Sequence, residues 1–167
     1  MPTAPDDPLL DALLDSWERN NRILINLLRL VPPDLLDSWP APASPSIGEL
    51  FAHVHYVRLV FVLEDAPECA RPLPEDEYAV ERDVARFEEM LNESAAAVAQ
   101  AVRGRTAAGR AMETHYDHPI LMLQHLIWHE GYHHGQIKLA LKLAGRPLSD
   151  KEVGRGTWGV WMLKGVS

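Results

Sequence analysis

The chain has 167 residues, 47% of them hydrophobic, with 16 Lys and Arg against 24 Asp and Glu, a formal net charge of −8 and one Cys. These values describe one soluble domain that can bury a core without disulfides or a structural metal, and the single Cys69 excludes a disulfide framework, a Cys-rich zinc module and a CxxC pair. Scattered basic residues in an acidic chain leave no footprint for nucleic acid, and no signal-like start or membrane-length apolar run is present, so the expectation is a cytoplasmic protein without nucleic-acid or membrane partners.

Asp7-Pro8 suits an N-cap and first turn, and Leu10, Leu13, Leu14, Trp17, Leu24, Leu27 and Leu28 then repeat at helical spacing until Pro32-Pro33. Ser46-Ile-Gly-Glu49 spells a capping box for a second helix from about Ile47 to Asp65, ending before Pro67. Glu75, Asp76 and Glu77 suit the first turn of a third helix through about Val102, with Val80, Val84, Phe87, Leu91, Ala95 and Val98 on its apolar side. Asp117-His118-Pro119 opens a fourth helix, and Gly145 with Pro147 closes it. No alternating run competes for a strand, so the predicted fold is all-α: a four-helix bundle in a single domain over residues 1–167, with its core at about 8–145. The tail, 146–167, is predicted to be short and irregular, folding back over a bundle end with Trp158 and Trp161 as packing residues.

Of the eight histidines, six lie between His115 and His134. His125, His129 and His133 are four apart and form a ladder on one face of the fourth helix. Several neutral imidazoles buried together are accommodated by one divalent cation, which accepts all their lone pairs, and an i, i+4 His pair chelates such an ion. The third ligand must come from another helix. His53 and His55 point about 200° apart, so at most one faces the site; His53 shares a face with Leu50, Val57 and Val60 and is the choice, while His55 falls at the edge as a substrate contact. The expected ligands are His53, His129 and His133, with His125 and Gln136 touching either those ligands or the substrate. His115, His118 and His134 read as ordinary loop or surface residues.

The string His129-Glu-Gly-Tyr-His133 also spells HExxH, the zinc-protease signature in which the glutamate activates water. Its longer form needs Gly at 136 and His at 139, where this chain has Gln136 and Leu139. Glu152, the downstream ligand candidate, lies beyond the helix stop, so the protease is the weakest reading. Glu130, rotated about 100° from His129 and expected to face solvent, and Tyr132 are the candidate catalytic residues.

Ser46-Ile-Gly-Glu-Leu-Phe-Ala-His53 and His125-Leu-Ile-Trp-His129-Glu-Gly-Tyr-His133-His-Gly-Gln-Ile137 together resemble the DinB/YfiT-like family of small metal-binding four-helix bundles, over roughly residues 8–145. Asn20-Asn21-Arg22 is a weaker likeness, and His134 stands where many relatives have Arg. The resemblance implies His53, His129 and His133 as ligands, and a homodimer. It also implies either thiol S-transfer using a low-molecular-weight thiol or hydrolysis of a small-molecule substrate. Its alternative is a noncatalytic metal-binding or stress-related bundle. The cofactor is expected to be one divalent ion, Zn or Ni first, with Fe, Mn and Cu also suited to the site.

Overall fold

Each long helix begins on a capping group supplied by its own sequence. In a computed structural model, which describes residues 7–162, Asp7 Oδ1 accepts from the amides of Leu9 and Leu10, both at 3.1 Å, with Pro8 in the first turn of α1, Pro8–Leu30. The Ser46 amide donates to Glu49 Oε2 at 2.6 Å and the Glu49 amide to Ser46 Oγ at 3.3 Å, the reciprocal box that opens α2, Ile47–Asp65. His118 Nδ1 accepts from the Ile120 amide and opens α4, Pro119–Leu143, which Gly145 ends at a φ of +82° that a side chain would resist.

The third helix starts later than its acidic residues suggest. α3 is Val84–Ala107, capped by Asp83, whose Oδ1 accepts from the Ala85 amide at 2.9 Å. Residues 70–83 form a non-helical strap over α2, fixed where Val80 meets Gly48. A Cβ on Gly48 would lie 2.6 Å from Val80 Cγ1, so only glycine lets the strap seat there. Glu75, Asp76 and Glu77 therefore serve the strap, and only Phe87, Leu91, Ala95 and Val98 of the expected apolar face become fully buried.

α3 and α4 each pack against both α1 and α2, which leaves α1 and α2 diagonal to one another. The apolar core falls into two clusters, one around Trp17, Val62, Val98 and Leu126, the other around Leu28, Phe51, Phe87 and Ile137. Between them lies a polar layer contributed by all four helices. Arg58, fully buried, donates from Nε and Nη2 to the two oxygens of Glu130 at 2.6 and 2.8 Å, and from Nη1 to Asn21 Oδ1 at 2.8 Å and the Leu91 carbonyl at 2.9 Å. Asn20 Nδ2 completes the layer on Glu130 Oε2, and the Trp17 ring lies under the guanidinium at 4.8 Å. A buried ion pair of this kind fixes register, because any slip of one helix leaves an unpaired charge in the core.

The tail is more regular than its composition suggests. Ser149 and Glu152 form a second capping box for a short α5, Asp150–Gly156, followed by a 3-10 turn at Trp158–Met162. It lies along the flank of α1 rather than over a bundle end, tied by Asn26 Nδ2 to the Gly156 carbonyl and by Arg19 Nη1 to the Val160 carbonyl, both at 2.8 Å. Val153 and Val160 provide its buried contacts, whereas Trp158 and Trp161, 57% and 42% exposed, bury only part of their rings, less than their expected packing role. The part of the predicted tail at 163–167 lies outside the described residues. Among those described there are five α-helices and no strand, and none of the helices is long and apolar enough to cross a membrane.

Candidate metal centre

The i, i+4 ladder on α4 brings the rings of His129 and His133 together, and α2 supplies His53 from across the groove. His53 Nε2 and His133 Nε2 lie 3.2 and 3.0 Å from His129 Nε2, and one ligating atom from each residue falls within 4.8 Å of the others. Two nitrogens bound tetrahedrally to one zinc at ordinary bond lengths sit about 3.3 Å apart, so these two edges match a shared ion. Burial holds His133 neutral by depressing its pKa. Burial first, and the neighbouring rings second, take His129 down to about 4. Both keep their lone pairs at neutral pH.

The hydrogen bonds behind these rings decide which nitrogen is offered. His53 Nδ1 lies 2.6 Å from Glu77 Oε1, and since a carboxylate only accepts, Nδ1 carries the proton and Nε2 is bare. His133 Nδ1 lies 2.7 Å from Gln136 Oε1, while Gln136 Nε2 donates to the Tyr132 hydroxyl at 3.0 Å, which leaves Nε2 of His133 bare as well. His129 Nε2 carries at most one proton and cannot satisfy both neighbours, and its buried Nδ1 has no hydrogen-bond partner. The three rings are thus short of donors in either tautomer of His129, and a cation at their convergence removes the deficit. The residues fit a divalent ion.

Tyr78 stacks on His53 with ring centroids 5.6 Å apart and planes 8° from parallel. Glu77 and Tyr78 were missed by sequence reasoning. Their acidic neighbourhood read as a helical first turn, and only the strap brings them to α2. Gln136 sits as expected, one turn beyond His133. Tyr132 is exposed and borders the site, with its ring edge-on to that of His133 at 5.1 Å and its hydroxyl accepting from Gln136. His125, also exposed, has its Nδ1 on the Tyr116 hydroxyl, with its ring 6.4 Å from that of His129.

Three expectations need correction. Glu130 does not face solvent: it is 1% exposed and both its oxygens are occupied by Arg58 and Asn20, so it is a counter-ion of the polar layer and not a base free to act on water. The HExxH protease reading loses its essential group. His55 is not at the edge of the site; the 200° offset from His53 turns it toward α3, where it is buried beside Met90 and burial depresses its pKa. His134 is only partly exposed, for its Nε2 is buried without a partner and burial takes its pKa to about 4. Cys69 is buried, and that burial raises its pKa.

The model of the DinB family matches residues 1–155, which takes in the four long helices and all but the end of α5. No curated protein and no solved structure matches the chain. The match extends past the helix stop at Gly145 into the tail, beyond the span over which the sequence itself resembles that family. With an all-helical fold and a three-histidine cluster on its second and fourth helices, the chain belongs to the DinB family.

Proposed function

We propose that this protein is a metal-dependent enzyme that holds one divalent ion, zinc or nickel first, on His53, His129 and His133, and transfers a low-molecular-weight thiol to a small electrophile or hydrolyses a small substrate. The observation that carries the reading is the convergence of three Nε2 atoms that their own hydrogen bonds cannot satisfy. A bound ion would lower the pKa of a thiol or water brought to it. Glu77 and Gln136 hold the rings in the tautomer that offers Nε2, Tyr78 covers one face of His53, and Tyr132 braces Gln136 from solvent. Three neutral ligands preserve the charge of the ion and leave coordination positions for substrate, the layout of a reactive rather than a closed structural site.

The test is reconstitution with zinc or nickel followed by assay with low-molecular-weight thiols and electrophiles, and with ester and amide substrates. Turnover by the loaded protein that disappears in His53→Ala and His129→Ala supports the enzyme. Metal retained without turnover across the panel supports a noncatalytic metal-binding bundle.

The reading includes a cytoplasmic home, to which one buried, unpaired cysteine is suited, and a second copy of the chain as partner. Leu121, Trp128, Tyr132, Leu139 and Leu143 recur along one exposed face of α4 at the spacing of a helix-packing stripe. Sedimentation of wild type and Trp128→Glu tests this, with a dimer expected for the first and a monomer for the second.

A further inference from the structure

Asp65 ends α2 with a completely buried carboxylate, and the segment between α3 and α4 is built around it. Its Oδ1 accepts from the amides of Thr114 at 3.0 Å and His115 at 2.8 Å, its Oδ2 from His115 Nδ1 at 2.8 Å, and its backbone carbonyl from the Glu113 amide at 3.0 Å. These bonds fix the chain immediately before Tyr116, whose hydroxyl lies 2.7 Å from Nδ1 of His125. Phe61 backs the arrangement, its ring edge-on to both His115 and His125 at 5.4 Å. An exposed histidine one turn from His129 is therefore held by a chain of contacts that begins at a buried carboxylate on another helix.

The direction of the bond to His125 follows from the partners. Tyr116 stays a phenol, since burial first and the charge of Asp65 second push its pKa up to about 12. A phenolic O–H is a stronger donor than a neutral imidazole N–H, and an imidazole nitrogen is a stronger acceptor than a phenolic oxygen. With Tyr116 donating, Nδ1 of His125 is the acceptor and the proton of the neutral ring sits on Nε2.

We propose that Tyr116 is a positioning residue that holds His125 in its Nε2–H tautomer, and that His125 presents this N–H beside the three converging imidazoles to an oxygen of the substrate, a carbonyl or a carboxylate. The substrate part rests on the metal-dependent reading above; the tautomer does not. With its one free nitrogen a donor, His125 selects for an acceptor, which favours substrates that present a carbonyl or carboxylate oxygen there over ones that present an ammonium. The spacing suits the role, since ring centroids 6.4 Å apart let one small molecule touch His125 while it lies against His129.

Nitrogen-15 NMR of the histidine-labelled full chain, metal-free and zinc-loaded, reads the tautomer directly. Wild type is expected to show a proton on Nε2 of His125 and a hydrogen-bonded, unprotonated Nδ1. Tyr116→Phe, which removes only an oxygen, is expected to leave the amide spectrum folded while Nδ1 of His125 loses its hydrogen-bond shift and the ring samples both tautomers. With acetate as probe, zinc-loaded Tyr116→Phe and His125→Ala should bind about threefold to tenfold more weakly than wild type, with zinc affinity unchanged. A proton on Nδ1 of His125 in wild type overturns the proposal, as does acetate bound equally well by both variants. Failure of wild type to hold zinc would instead overturn the metal reading, and the spectrum of the metal-free chain would still decide the role of Tyr116.

Discussion

Oε1 of Glu77 lies 2.6 Å from Nδ1 of His53, and the two residues reach each other from a non-helical strap and the middle of α2. A carboxylate behind a ligating imidazole fixes the ring and raises its basicity. Glu77→Ala is expected to weaken zinc binding about tenfold to a hundredfold, measured by competition with a chromophoric chelator. Glu77→Gln, which can still accept from Nδ1, should fall between the two. Equal affinity in all three proteins would remove Glu77 from the site.

Arg58 and Glu130 predict a different kind of loss. Arg58→Ala leaves a carboxylate unpaired in the core and is expected to cost about 3 to 5 kcal/mol in urea unfolding. Replacing both residues by leucine should recover most of this, because the penalty lies in the uncompensated charge. Full stability in Arg58→Ala would mean that Glu130 is already neutral or solvated.

The metal-free protein should weaken in mild acid. His129 and His134 titrate near 4 when folded, against 6.5 for an unperturbed histidine, so between these values the unfolded chain binds more protons than the folded one. Stability is then complete above pH 6.5 and declines as pH falls toward 4. Urea midpoints of chelator-treated protein at pH 7, 6 and 5 are expected to decrease in that order, and His134→Gln to flatten the trend. A midpoint that does not move across this window contradicts the burial of these rings as neutral groups.

Gly131 and Gly135 lie inside α4, and a Cβ at either position would meet nothing within 4 Å. Packing within one chain does not require them. Gly131→Ala and Gly135→Ala should each stabilise the monomer by about 1 kcal/mol, read by unfolding at low protein concentration. Both should also raise the concentration needed for self-association, which sedimentation measures.

What the sequence disclosed, and what it hid, follows from where each signal resides. Ser46 with Glu49, and His118 with Pro119, are local chemistry, and the helices they start begin where those residues say. The His129 and His133 pair is likewise local, one turn of one helix. Arg58 and Glu130 were hidden because α2 and α4 are apolar on nearly every side, so periodicity does not tell which face of either points inward. Ser149 and Glu152 repeat the spacing of Ser46 and Glu49 and would have revealed α5, had the glycines around them not read as loop. Glu77 was beyond reach for another reason: its partner is 24 residues away, and nothing in its neighbours marks it as the carboxylate behind a ligating imidazole.

The strap over α2 ends in a plain thermodynamic reciprocity. Whatever free energy the carboxylate at its tip adds to holding an ion is returned by that ion to the ordering of the strap. Loading the site should therefore shield the stretch between α2 and α3 from proteolytic nicking, and stripping it with a chelator should expose that stretch before the four long helices yield.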